Sequence, residues 1–265
     1  MSVLLVTGGG RGIGAATCRA AAAAGWDVAV NYATDDAAAA RVVADVEAAG
    51  RKAVALKADV SDAAAVVRLF DDAARLGPLG GVVVNAGITG RMGRVDDDNL
   101  DNVRAVIEIN VWGAYLTARE AAKRLSTRNG GPGGAIVTTG SAASTLGSPG
   151  EFVWYAASKG WVDTMTIGLA RELAREGVRV NGVSPGLIDT EIHASSGDAG
   201  RAGRLAPMVP MGRVGGADEV ADAIVWLLSD GARYVTGQHM LVDGGVSFSL
   251  KDHLPRKAPE RRDGR

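Results

Sequence analysis

The feature that most constrains this chain is a strict alternation of two kinds of segment. Short apolar runs rich in Val, Leu and Ile lie at Val3–Thr7, Asp27–Tyr32, Ala53–Ala58, Gly81–Asn85, Ala135–Thr139, Arg179–Ser184 and His239–Val242. Between them lie longer, alanine-rich, helix-like segments: Ile13–Ala24, Asp36–Ala49, Ala63–Leu76, Leu100–Leu125, Trp154–Glu176 and Ala217–Leu228. The short runs are nearly continuous rather than alternating in polarity, as parallel strands buried on both faces require. Gly25, Gly50 and Gly177 each follow a helical segment, where a C-terminal glycine belongs, and Ser61 precedes one as an expected N-cap. Repeated strand–helix units cross over right-handedly and build a doubly wound α/β sheet.

No linker divides the 265 residues, so residues 1–250 are expected to form a single domain. Two segments break the rhythm. Residues 190–216 are irregular and rich in Gly, Ala and Arg, which suits a lid over a site. Residues 251–265 carry six bases, three acids and two prolines without an apolar pattern, and are expected to be a flexible tail. Of the overall charge of −1, the first 250 residues therefore carry −4, which offers no electrostatic case for nucleic-acid binding. Three scattered His and one Cys make no metal-ligand cluster, so no metal is expected. The single Cys18 cannot form an internal disulfide, and the first residues lack the pattern of a signal peptide. The longest uncharged run, Asn129–Gly150, is too rich in Gly, Ser, Thr and Pro to cross a membrane. A cytoplasmic protein with no membrane partner is the expectation.

The chemistry begins at Thr7-Gly8-Gly9-Gly10-Arg11-Gly12-Ile13-Gly14, which leaves the first strand and opens the first helix. A helix N-terminus offers unpaired N–H groups and partial positive charge to a pyrophosphate, and glycines admit the backbone to close range. The strand–turn–helix context makes this a dinucleotide loop, and the absence of a Gly-Lys-Ser/Thr ending rules out a Walker A loop. Further motifs follow in order: Asp59-Val60, Asn85-Ala86-Gly87, Asn110 in Ile109-Asn110-Val111-Trp112-Gly113, Ser141, Tyr155-Ala-Ala-Ser-Lys159, Pro185-Gly186 with Ile188 and Thr190, and Val242-Asp243-Gly244-Gly245. Together, over residues 1 to about 245, they resemble the short-chain dehydrogenase/reductase family. The stretch Leu146–Tyr155 is most similar to glucose or ribitol dehydrogenase-like members, and carbonyl (3-oxoacyl-carrier-protein) reductases are a second likeness. The resemblance implies a Rossmann-like doubly wound sheet of about seven mostly parallel strands with helices on both faces.

Tyr155 and Lys159 stand four apart in a helical segment, so both emerge on one face. A phenol with an ordinary pKa near ~10 is a poor proton shuttle at neutral pH, and a neighbouring ammonium favours its phenolate. Tyr155 then serves as acid for ketone reduction and as base for alcohol oxidation. Ser141, just past the strand Ala135–Thr139, is placed to polarise the substrate carbonyl, with Ser144 as the competing hydroxyl. The spacing from Ser141 to Tyr155 is slightly longer than the family's, and the extra residue is assigned to Glu151–Trp154. The resemblance implies that Lys159 also holds the nicotinamide ribose and that Asn110 is the fourth catalytic residue, positioning Lys159 through water. For Asn110 the alternative is a buried amide bonding the helix backbone.

By the same resemblance, Gly8, Arg11, Gly12, Ile13, Gly14, Asn31, Tyr32, Asp59, Val60, Asn85, Ala86, Gly87, Tyr155, Lys159, Pro185, Gly186, Ile188 and Thr190 hold the cofactor. Asp59 would bond the adenine amino group, or cap a helix beside Ser61. An NAD site places an acid at the end of the second strand, where this chain has Tyr32, while Asp35 and Asp36 follow as first-turn helix residues. With Arg11 in the loop, this favours NADP(H). Ala33 stands where a second base is often found, so NAD(H) use stays open. The substrate pocket is expected from Arg91–Arg94, Ala142–Ser144, Phe152–Trp154 and Thr190–Met211, with Trp154 as a flat apolar wall and Arg201 and Arg204 as solvated lid residues. The resemblance also implies a homotetramer, or a homodimer, joined through Leu100–Leu125 and Trp154–Glu176. The expected reaction is hydride transfer between the cofactor and a small-molecule carbonyl or secondary alcohol. A non-catalytic dinucleotide-binding regulator or scaffold is the alternative. Epimerases and dehydratases of nucleotide sugars share Tyr-x-x-x-Lys but use a larger substrate domain.

Overall fold

The computed structural model describes residues 2–97, 100–191, 198 and 200–248. The tail 251–265 lies outside the described residues, as does part of the expected lid. Seven strands form one sheet: β1 (Val3–Val6), β2 (Asp27–Tyr32), β3 (Ala53–Lys57), β4 (Leu79–Val84), β5 (Gly134–Thr139), β6 (Val178–Pro185) and β7 (His239–Val242). Their order is β3-β2-β1-β4-β5-β6-β7, and every pairing is parallel. The order reverses between β1 and β4, and the crevice outside the carboxyl ends of those strands is where ligands of open α/β sheets bind.

Side-chain alternation along β1 shows why the run is apolar throughout. Val3 and Leu5 enter one core and Leu4 and Val6 the other, all four fully buried. The first core lies under α3 (Ala63–Leu76), α5 (Ala114–Leu125) and α7 (Val153–Leu173), with Phe70, Leu125 and Val162 as members. The second lies under α1 (Gly12–Ala23), α2 (Asp36–Ala48) and α9 (Ala217–Leu228), where Cys18, Val46, Ile224 and Leu227 meet. Each fully buried Leu, Val or Phe stabilises the fold by about 1.5–3 kcal/mol relative to exposure, so both layers are needed to hold the sheet.

Gly25, Gly50 and Gly177 take positive φ, 94°, 76° and 75°, as expected of helix-ending glycines. One local expectation fails and a second is refined. The N-cap before α3 is Asp62, whose carboxylate accepts from the amides of Ala64 and Ala65; Ser61 instead donates to Asp59, by its amide at 2.9 Å and its hydroxyl at 2.7 Å. The segment Leu100–Leu125 is helical throughout, as expected, but its winding is not uniform. It runs as α4 (Leu100–Ile107), a π-helical turn at Glu108–Gly113, and α5. A π turn is a local insertion that regular periodicity does not announce, and here it carries Asn110. Two further helices, α6 (Ala143–Leu146) and α8 (Arg201–Leu205), flank the crevice.

Candidate active site

The glycine loop leaves β1 and turns directly into α1. Gly12 has φ 52°, a conformation that disfavours a side chain, and a Cβ on Gly14 would run into the Gly8 carbonyl and lie 2.7 Å from Asn85 Nδ2. Arg11, at the N-cap, offers no side-chain capping bond, and the first turn of α1 holds no acid. The first-turn amides have no intrahelical acceptor and remain open to an anion. The loop itself is anchored by polar side chains. Thr7 Oγ1 donates to Val83 O and accepts from the amides of Asn85 and Ala86, at 2.9–3.2 Å. Asn85 Nδ2 donates to Thr7 O at 3.0 Å and Gly8 O at 3.3 Å. Asn31 Oδ1 accepts from the Gly8 amide, while its Nδ2 donates to Leu56 O and Ala58 O. Asn31 and Asn85 thus tie β2, β3 and β4 to the loop with their side chains.

All the residues expected to hold the cofactor line one cavity of about 500 Å³ at the carboxyl end of the sheet. Tyr32 lines one end of it, and its hydroxyl bonds the Asp36 carboxylate, which lies outside the lining and also accepts from the Lys57 ammonium at 3.0 Å. These bonds hold Asp36 below the usual carboxylate range, Lys57 contributing most. Burial and Asp36 hold the Tyr32 phenol above its ordinary value. Lys57 is a base that the sequence reading missed. Its signal is the β2–β3 register, which sets Tyr32 opposite Lys57.

At the other end, Tyr155 and Lys159 project from one face of α7. Lys159 is 5% exposed; its Nζ donates to Thr139 O at 2.7 Å and lies 5.7 Å from the centre of the Tyr155 ring. Burial draws the Lys159 ammonium down to about 8, against an opposing pull from Asp163. Burial also raises the Tyr155 phenol above its ordinary value; the hydrogen bond with Ser141 and the charge of Arg201 pull it back, and Asp163 adds to the rise. Ser141 is therefore the hydroxyl that meets Tyr155. Ser144 donates instead to Ser141 O at 2.9 Å, as a loop hydroxyl does. Asn110 does not line the cavity. Its Oδ1 accepts from the Ile88 amide, and its Nδ2 donates to Ile88 O and Ser158 Oγ, all within 3.0 Å. It bonds across to the loop after β4 and to α7, not to its own helix.

The substrate side differs from expectation in three places. Trp154 is no wall of the cavity: it is 8% exposed, packs with Val106 and Phe152, and donates from Nε1 to Thr89 O at 3.0 Å. Arg91–Arg94 stand outside the lining, and Arg94 pairs with Asp96 at 2.9 Å. The two lid arginines separate. Arg204 pairs with Asp198 on the surface, whereas Arg201, its side chain only 17% exposed, pairs with Glu151 at 2.6 Å and lies 5.5 Å from the centre of the Phe152 ring. Ala142, Ala143, Leu146, Phe152, Leu205 and Met208 supply apolar lining beside it. Among the described residues no helix is long and apolar enough to cross a membrane.

Comparison with known proteins gives the same picture. A family model described as enoyl-(acyl carrier protein) reductase matches residues 8–247. The uncharacterized oxidoreductase YgfF of Escherichia coli (strain K12) is 50% identical over 246 residues, spanning 92% of this chain and 100% of that protein. Among solved structures, a short chain dehydrogenase from Burkholderia cenocepacia J2315 in complex with NADP is 38% identical with a TM-score of 0.84, over 92% of this chain and 97% of that one. A 3-ketoacyl-(acyl-carrier-protein) reductase from Brucella melitensis complexed with NADH is 30% identical with a TM-score of 0.85, over 93% and 98%. With its sheet order, its cleft and these end-to-end matches, the chain belongs to the short-chain dehydrogenase/reductase family, enzymes that carry out carbonyl and alcohol redox chemistry with a nicotinamide dinucleotide.

Proposed function

We propose that this enzyme interconverts a small-molecule ketone and its secondary alcohol with NADP(H), using Tyr155 as the general acid and base. The observation that carries the reading is the convergence of Ser141, Tyr155 and Lys159 on the cavity that the glycine loop opens into. That cavity suits a dinucleotide: the uncapped α1 terminus faces a pyrophosphate, and Gly12 and Gly14 clear the space a side chain would fill. When bound, the nicotinamide supplies or takes up the hydride. The protein's part is the proton. In reduction, the Ser141 hydroxyl donates a hydrogen bond to the carbonyl oxygen, and Tyr155 passes its proton to that oxygen as the carbon gains hydride; oxidation runs the same transfers backwards. The Lys159 ammonium favours the phenolate left on Tyr155 and donates to the nicotinamide ribose. Asn110 keeps the loop after β4 and α7 in register, from where it feeds Lys159 through water. Changing Tyr155 to Phe is expected to lower turnover by at least about 10²-fold while NADPH still quenches protein fluorescence. Unchanged turnover overturns the mechanism and favours a dinucleotide-binding scaffold.

NADP(H) preference is supported by Tyr32 in the acid's place, by Arg11 at the loop, and by Lys57 across the register from Tyr32. Asp36, the acid bonded to Tyr32 at this end, is already engaged by Lys57 as well. Steady-state kinetics are expected to favour NADPH in kcat/KM by about tenfold, or about 1.4 kcal/mol, and an advantage for NADH overturns this assignment. We take residues 1–250 as the catalytic unit of a cytoplasmic homotetramer or homodimer. An exposed aromatic strip supports the assembly: Trp112 stacks on Tyr115 at 5.7 Å, and Tyr115 meets Trp161 edge-on at 6.5 Å.

A further inference from the structure

We propose that Arg201, clamped between Glu151 and Phe152, is a specificity-determining residue that binds an uncharged oxygen of the substrate other than the reacting carbonyl. The inference deepens the ketone–alcohol reading above and rests on it. Arg201 opens α8 and lines the cavity. Its guanidinium lies 5.5 Å from the centre of the Phe152 ring, and its Nη2 donates to Glu151 Oε2 at 2.6 Å. The other two nitrogens have no hydrogen-bond partner among the described residues. Nε is buried in that state, whereas Nη1 is not closed off and is the donor that Arg201 can offer to the cavity. A guanidinium is a fork of five N–H donors, and a buried donor left unmade is costly. The contacts of Arg201 with the protein therefore leave its hydrogen bonding incomplete, and a ligand oxygen in the cavity completes it.

The clamp belongs to the catalytic helix. Glu151 and Phe152 immediately precede α7, and Tyr155 stands in its first turn. Phe152 packs with Tyr155, and both line the cavity. The charge of Arg201 also reaches the Tyr155 phenol. The extra residue between Ser141 and Tyr155 is assigned to this same stretch, Glu151–Trp154, so the chain departs from the family's spacing where it holds Arg201. A ketone held at Ser141 and Tyr155 thus lies beside a guanidinium whose orientation is fixed by an ion pair and a ring.

Charge and lining select the kind of oxygen. Glu151 already balances Arg201, so a substrate carboxylate would face the Glu151 carboxylate across one guanidinium. A hydroxyl, ether or second carbonyl oxygen accepts from Nη1 without that repulsion, and a bond from a charged donor is stronger than one from a neutral donor. The lining beside Arg201 is otherwise apolar, with Ala142, Leu146, Leu205 and Met208. The substrate class is thus an uncharged ketone with an apolar body and a second oxygen. A ketone without that oxygen leaves the guanidinium unpartnered, a mismatch that separates substrates strongly. An arginine that only tied α8 to the start of α7 would touch no substrate atom and would not tell these ketones apart.

The test compares cyclohexanone, the hydroxycyclohexanone isomers and 4-oxocyclohexanecarboxylate on the full chain. Two quantities are measured: kcat/KM for reduction with saturating NADPH, and affinity for NADPH-loaded Tyr155→Phe by ligand-observed NMR. In both, at least one hydroxyl isomer is expected to exceed cyclohexanone and the keto acid by about tenfold or more. Arg201→Met is expected to abolish that preference, and Glu151→Gln, which removes the counter-charge, to turn it toward the keto acid. Equal values for cyclohexanone and every hydroxyl isomer, or a preference that survives Arg201→Met, overturn the proposal. A keto acid favoured by the parent overturns the assignment of an uncharged oxygen. Should Arg201→Met not fold, Glu151→Gln decides, and an unchanged order of ketones there overturns the proposal. If Tyr155→Phe still reduces ketones, the reading of Tyr155 as acid fails; if it is inactive and binds all the ketones equally, only the role of Arg201 fails.

Discussion

Burial of Lys159 moves its ammonium from an ordinary 10.5 down to about 8, and this has a consequence for stability. Between those two values the unfolded chain binds the proton that the folded chain has shed. Stability therefore rises with pH across that window; below about 8 the folded protein bears the full penalty. The shift corresponds to about 3 kcal/mol at neutral pH, from which about 1 kcal/mol is offset by the bond to Thr139 O. Replacing Lys159 by Met is expected to raise the free energy of urea unfolding of the cofactor-free protein by about 2 kcal/mol at pH 7. The gain should shrink by pH 9.5, and a pH-independent difference would contradict it. Cys18 shows the opposite sign for an acid. Fully buried, its thiol is pushed up to about 12, so little thiolate forms and it should resist thiol reagents until the protein unfolds.

At the scale of elements, the strands and helices were legible because their patterns are local. Strands β2 and β7 and helices α3 and α9 lie where the apolar runs and periodicity put them, and most other ends differ by one or two residues. The π turn at Glu108–Gly113 was not legible. It depends on distant partners: a Cβ on Gly113 would lie 2.7 Å from Val60 Cγ2, and Asn110 bonds Ile88, 22 positions away. The same holds for Trp154, whose indole reaches Thr89 across 65 positions instead of facing the cavity beside Tyr155. Asn110→Leu keeps the volume but leaves the Ile88 amide and carbonyl without their partner and takes one donor from Ser158 Oγ, which keeps its own bond to Tyr155 O. Unfolding in urea should show a loss of about 2–4 kcal/mol, and a loss under about 0.5 kcal/mol would mean that the amide is not what holds the turn.

Across the whole molecule, Trp112, Tyr115 and Trp161 form an aromatic strip in which each residue is 37–44% exposed, a large surface for residues of this type. A Trp112→Glu, Trp161→Glu double variant should retain its circular dichroism, since neither indole is in a core, and should sediment as a monomer. An unchanged sedimentation coefficient would remove this strip from the interface. The sequence by itself determined the alternating architecture, the glycine loop at the first helix and the Tyr155–Lys159 pair, because each is encoded within a few consecutive residues. Tertiary structure decided that Ser141 and not Ser144 meets Tyr155, that Asn31 and Asn85 staple the loop, that Lys57 faces Tyr32, and that His239 faces Asp163. Apart from the choice of serine, these arrangements join segments from 23 to 78 positions apart. Only the docking of whole strands and helices, driven by burial of their apolar faces, sets such distances.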